Sequence, residues 1–206
     1  MVIVREGHGE AQAIEKPVAR VGRDLGLVPD VFASLSANPR IVISSPETAV
    51  RAARVAARYR PDAILLTADL DDGCPADVAP RWAQAVRSEG LSMPVALVLF
   101  HREYETLALS VADSLAGMQL LPGVVLDAGV SAPADPEGHR DAKGWLGRHL
   151  MGGRRYKPTV HQLPLTTLLD VGALRAAGLS SYRRLENAMV HLAAQAQAGT
   201  AAVYPA

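Results

Sequence analysis

The 206 residues suffice for one domain with a hydrophobic core of its own, and the single cysteine, Cys74, excludes an internal disulfide and leaves any zinc site to histidine and carboxylates. Twenty-one basic and 21 acidic residues give a formal net charge of zero, which excludes the broad positive field of a protein that coats nucleic acid nonspecifically. MVIVREGHGE, the opening stretch, is acidic where a secretory signal is basic, and apolar runs such as residues 94–100 fall far short of the roughly 20 residues that cross a bilayer, so a soluble protein of the reducing cytoplasm is expected, with no membrane partner.

Short apolar runs alternate with segments of helical period through the first half, the pattern of a parallel sheet covered by crossover helices. Strands are predicted at residues 2–5, 40–44 (RIVIS), 63–68 (AILLTA) and 94–100 (PVALVLF). Between the first two, residues 10–26 read as helix, with Pro17 kinking or dividing it. Residues 46–59 place Ala49, Val50, Ala53, Ala56 and Ala57 at helical spacing with arginines opposite, and residues 75–90 complete the set. Residues 104–115 read as a further helix, and 117–144, rich in Gly, Pro, Ala and Asp, as a long loop. The basic stretch Gly152-Gly153-Arg154-Arg155-Tyr156-Lys157-Pro158 precedes helices at 163–170, 172–177 and 180–196. The fold class is therefore α/β: a mostly parallel, Rossmann-like sheet flanked by helices over residues 1–115, with a loop and helical C-terminal extension over 116–206 packed on the same domain.

Ligand sites of open parallel sheets lie just beyond the carboxyl ends of the strands. Carboxylates follow three of the predicted strands: Glu6 and Glu10 after the first, Asp69, Asp71 and Asp72 after the third, Glu103 and Glu105 after the fourth. Left bare, such a group repels itself, so a cation is expected there, and an all-oxygen set suits Mg²⁺ or Mn²⁺. Asp69 and Asp71, two apart on extended chain, point to one face. Gly7 and Gly9 let the backbone turn from strand into helix and leave room for a phosphate near the helix N-terminus.

A hydrophobic strand followed by Glu6-Gly7, with Glu10 completing EGxxE, and a later strand followed by Asp69-Leu70-Asp71 resemble the TOPRIM domain of topoisomerases, bacterial primases and the overcoming-lysogenization-defect type nucleases. The stretches DAKGWLGRHL, RRYKPTVHQ and SSYRRLENAM resemble an uncharacterised bacterial family of TOPRIM-like proteins thought to work beside an AAA-type or ABC-type ATPase. The resemblance implies a Mg²⁺- or Mn²⁺-dependent nuclease or related phosphodiester-transfer enzyme. It further implies that Asp69 and Asp71 hold metal, that Glu6 holds metal or acts as general acid or base, and that Glu10 and Asp72 complete the cluster. Glu105 is the candidate for a further ligand, with Glu103 as its alternative. Arg154, Arg155 and Lys157 are candidates to neutralise a DNA or RNA backbone beside the acidic site.

Plainer readings stand beside these. The glutamates suit a solvated strand-to-helix turn, the aspartates a polar loop capping the next helix, Glu103 and Glu105 an exposed helix start, and the basic stretch a solvated loop. His8 reads as a bystander, and Cys74, without a paired base, is no nucleophile. RPDAILLTADLDDG also resembles the third strand of receiver domains, whose aspartate accepts a phosphoryl group, although no lysine after a fifth strand is evident. A third reading is a non-catalytic subunit that docks an ATPase through residues 180–196.

Overall fold

The computed structural model describes residues 1–5, 12–24, 26, 33–35 and 42–206, the side chains of 33–35 excepted. Its centre is a five-stranded parallel sheet of β1 (Val2–Arg5), β2 (Ala33–Leu35), β3 (Ile64–Leu70), β4 (Val95–His101) and β7 (Val203–Tyr204), in the order β2-β1-β3-β4-β7. Two short strands, β5 (Gln119–Leu121) and β6 (Val124–Val125), form a separate antiparallel hairpin inside the stretch predicted as loop.

The central strands are buried on both faces, so their apolar residues alternate between two cores, with Thr67 and Asp69 as polar positions within β3. Ile3, Leu65, Ala96, Val98 and Phe100 face one core, which is closed by α1 (Glu15–Asp24), α4 (Thr106–Ser110), α5 (Ala112–Leu115), α7 (Pro158–Leu168), α8 (Val171–Ala176) and α9 (Ser180–Ala198). Val2, Val4, Ile64, Leu66, Leu97 and Leu99 face the other, closed by α2 (Pro46–Ala57) and α3 (Pro75–Arg87). The result is a three-layer, doubly wound, Rossmann-like arrangement whose strand order reverses between β1 and β3.

Several sequence expectations are corrected. The second strand is Ala33–Leu35 and not 40–44: Val42, Ile43 and Ser44 are not strand, and Arg40 and Ile41 lie outside the described residues. The physical reason is the helix that follows. Ser44 N and Ser45 N both donate to Thr48 Oγ1 at 2.9 Å, and Ser45 caps α2 through a reciprocal capping box, so these donors serve the helix rather than a ladder. Pro17 falls in the first turn of α1, where its missing N–H has no intrahelical partner to lose, and it produces no division. The helix predicted at 104–115 is divided at Val111, whose φ of −126° leaves the helical range.

The C-terminal extension belongs to this same fold. It supplies β7, and α9 lays Tyr182, Leu185, Ala188, Met189 and Leu192 into the core beside β4. The apolar stripe of α9 is thus spent within the chain, contrary to its reading as a docking surface. A π-helical turn (Leu146–Leu150) follows α6 (Ala142–Trp145) and brings Gly147 against the backbone of 154–156: a Cβ built there would meet the Arg154 carbonyl oxygen at 2.7 Å. Among the described residues no helix is long and apolar enough to cross a membrane.

Candidate active site

β3 and β4 run in register, with Asp69 opposite Phe100 and Leu70 opposite His101, so their carboxyl ends finish together. Asp69 is the penultimate residue of β3, and its Oδ1 accepts a hydrogen bond of 2.8 Å from the Tyr104 backbone N–H. That bond draws the turn after β4 across to β3. It places Glu103, Tyr104 and Glu105 at the same end of the sheet as Asp69.

Tyr104 is itself anchored: its ring stands edge-on to Phe100 at 5.2 Å between centroids, and its hydroxyl lies 3.1 Å from Thr166 Oγ1. Glu105, at the start of α4, is not an exposed helix start, because it is only 2% exposed. Its Oε1 accepts from Gln162 Nε2 at 3.2 Å, and its Oε2 lies 3.3 Å from Lys143 Nζ. Glu103 grips the same lysine twice, accepting from Nζ at 3.0 Å through Oε1 and from the Lys143 backbone N–H at 3.1 Å through Oε2.

Electrostatics follow from this enclosure. Burial pushes the Glu105 carboxyl above the ordinary carboxylate range, opposed by the charge of Lys143. Burial also works against the lysine ammonium, yet Glu105, Asp69 and Glu103 together outweigh it and hold Lys143 protonated well above the usual lysine range. The single charge of Lys143 is shared among three carboxylates. Tyr156 is buried beside the same group; burial first, then the negative charge of Glu105, holds its hydroxyl well above the ordinary tyrosine range.

The remaining sequence candidates divide as follows. Glu6 and Glu10, with His8, lie outside the described residues. Asp71 and Asp72 are exposed beyond the end of β3; the Asp71 carbonyl accepts from Arg102 at 3.1 Å, and Asp72 pairs with Arg140 at 3.1 Å. Arg154, Arg155 and Lys157 are exposed, and they bracket Tyr156, whose ring is buried toward the acidic group, so the basic stretch flanks the site. Cys74 is exposed at the start of α3.

The segment between β6 and α6, together with α6 itself, crosses this end of the sheet, held by Arg140 on Asp72, Lys143 on Glu103 and Glu105, and Glu137 at the start of α9. Glu137 accepts from Ser181 N at 2.8 Å and from Ser181 Oγ at 2.6 Å, while Ser181 Oγ accepts from His101 N at 3.0 Å. Ser181 therefore ties α9 and the crossing segment to the end of β4.

Sequence reasoning missed Lys143, Tyr156 and Gln162. The capping residue Asp141, whose Oδ1 accepts from Gly144 N at 2.8 Å, was the local signal that Lys143 sits on a helical turn. Nothing local links that turn to Glu105.

Among the described residues no group of three or more histidine, cysteine, aspartate or glutamate side chains is disposed to hold a metal ion. Asp69 turns instead to Tyr104 N, Glu103 and Glu105 to Lys143, and Asp72 to Arg140. The donors are nonetheless all oxygen, which suits a hard divalent ion. No protein-family model, no curated protein and no solved structure matches this chain. Fold and site define the class: a Rossmann-like α/β protein with carboxylates from β3 and β4 collected at the carboxyl end of its sheet around a lysine.

Proposed function

We propose that the protein is a divalent-metal-dependent nuclease or related phosphodiester-transfer enzyme of TOPRIM type, acting on DNA or RNA beside a partner ATPase of AAA or ABC type. The observation that carries this reading is the Tyr104 N–H bond to Asp69, which unites the acidic ends of β3 and β4 next to the point where the strand order reverses. Asp69 and Asp71 would hold Mg²⁺ or Mn²⁺, with Glu6, Asp72 and Glu105 as further oxygen donors, and the bound ion would lower the pKa of a water and stabilise the departing oxygen. In this reading Glu6, if it does not hold metal, takes and returns protons as general acid or base, and Glu10 completes the cluster. Arg154, Arg155 and Lys157 meet the nucleic-acid backbone, their exposure leaving them open to phosphates.

The test is direct. Purified protein, alone and with its ATPase, is incubated with supercoiled DNA, linear DNA and RNA in Mg²⁺ or Mn²⁺. Cleavage that disappears in D69N and D71N supports the proposal; intact substrates under every condition refute it.

One observation favours a second reading. The order β2-β1-β3-β4-β7 is that of receiver-type doubly wound domains, and Lys143 supplies an ammonium in the field of Asp69. It arrives, however, from the connection between β4 and β7 rather than from beyond the fifth strand. A stable phosphoryl adduct on Asp69 after treatment with acetyl phosphate, seen by mass spectrometry, would favour the receiver.

A further inference from the structure

Resting on the nucleic-acid reading above, we infer that Arg148 joins Arg154, Arg155 and Lys157 in one phosphate-contact surface, which grips the backbone of a nucleic-acid duplex without recognising its bases. The chain is neutral as a whole, with 21 basic and 21 acidic residues, yet residues 142–169 carry five lysines and arginines and no aspartate or glutamate. One of the five, Lys143, turns inward to Glu103 and Glu105. The other four are exposed. A local excess of positive charge attracts a polyanion where the neutral whole does not.

Folding brings Arg148 to the others. The Gly152-Gly153 turn, with φ of 61° and 82°, sends the chain back on itself, Gly153 N donates to the Gly147 carbonyl at 3.0 Å, and the backbone of Arg154 and Tyr156 packs against Gly147. Arg148 thereby stands beside the returning basic stretch. It pairs with Asp141 at 3.1 Å, but the two side chains are 60% and 62% exposed, so water screens the pair, and Asp141 keeps the Gly144 N–H when a phosphate takes the guanidinium over. Arg154, Arg155 and Lys157 form no salt bridge among the described residues. The large aromatic residues of this stretch, Trp145 and Tyr156, are buried, and the His149 ring leans on Trp145 at 5.0 Å between centroids. The surface thus holds phosphates and offers single-stranded bases no platform to stack on.

The experiment measures binding of the full chain to labelled duplex DNA and duplex RNA by fluorescence anisotropy over a series of salt concentrations, in EDTA so that binding is read apart from metal and cleavage. R148A should bind about eightfold more weakly than wild type at about 0.1 M salt and lower the slope of log affinity on log salt by about 0.9, the loss of one phosphate contact on B-form DNA. R154A should do the same. R148K, which keeps the charge, should stay within about twofold of wild type, and so should R51A, an exposed arginine of α2 on the other face of the sheet. Should R148A fail to fold, R148Q removes the charge with a polar side chain in its place, and the same loss is expected. Duplexes of unrelated sequence should bind alike, and the single strand more weakly. Folded R148A or R148Q that binds as wild type does, an affinity that follows base sequence, or displacement of the duplex by poly-aspartate at equal charge, which marks an acidic protein segment as the partner, each overturns the inference. Wild type that binds neither duplex overturns it as well. Arg148-dependent binding without cleavage in any metal leaves this surface standing and refutes only the nuclease reading.

Discussion

Replacing Lys143 by methionine removes the cation from a carboxylate that is 2% exposed, and the cost is calculable in order of magnitude. Breaking a buried ion pair by deleting one partner costs about 3–5 kcal/mol, because the other charge is left uncompensated. The lysine itself is 35% exposed, so water reaches one side of the pair and screening brings the cost below that range, to about 2–3 kcal/mol. For a chain of this size that corresponds to a fall in Tm of roughly 4–12 °C. Circular dichroism melts at neutral pH measure it. The sign with pH is also fixed. Burial already raises Glu105 in the folded protein, and without Lys143 it rises further, so the folded state binds a proton that the unfolded chain releases. The deficit of K143M should therefore be largest at neutral pH and shrink as pH falls toward the ordinary carboxylate range. E105Q/K143M, with no buried charge to strand, should recover at least half of the loss. A K143M protein within about 0.5 kcal/mol of wild type at neutral pH, or strictly additive single and double variants, would refute the claim that these two residues form a coupled buried pair.

Other outcomes follow from the same geometry. G147A should lose about 1–3 kcal/mol in urea unfolding, since its methyl would stand 2.7 Å from the Arg154 carbonyl oxygen and backbone must shift to admit it. S181A leaves the His101 N–H without its acceptor and takes the hydroxyl donor from Glu137, at a cost of about 1–3 kcal/mol, and hydrogen exchange of residues 131–144 should quicken because the crossing segment loses part of an anchor. L65A, in the centre of the sheet and fully buried, should cost about 2–5 kcal/mol. Neutralising Arg154, Arg155 and Lys157 to alanine should weaken nucleic-acid binding and reduce its logarithmic salt dependence by about 2–3, with little change in melting temperature because all three are exposed.

The class of fold was legible in the chain because both signals behind it are local. The runs VIVR, ILLTADL and VALVLFH place apolar residues on both alternating faces over most of their length, which a sheet covered on two sides demands, and the cap before Pro46 marks a helix start without reference to anything distant. Asp69 was legible for the same reason, as an acid at the end of such a run. RIVIS misled because its apolar content says nothing of whether a helix cap will claim the adjoining donors, and β7 was missed because two residues acquire strand geometry only when β4 offers them a ladder.

Sequence by itself determined the alternation of strand and helix, the double-sided burial of the sheet and the acidic character of the strand ends, since each depends on residues a few positions apart. Tertiary structure alone decided that Glu105 is buried, that Lys143 is its partner and that Tyr156 and Gln162 close over it. These side chains come from segments far apart in the chain, and their charges acquire meaning only when folding removes water from between them. Burial turns four ordinary polar residues into one coupled group, and no local pattern records which of the chain's carboxylates will be buried.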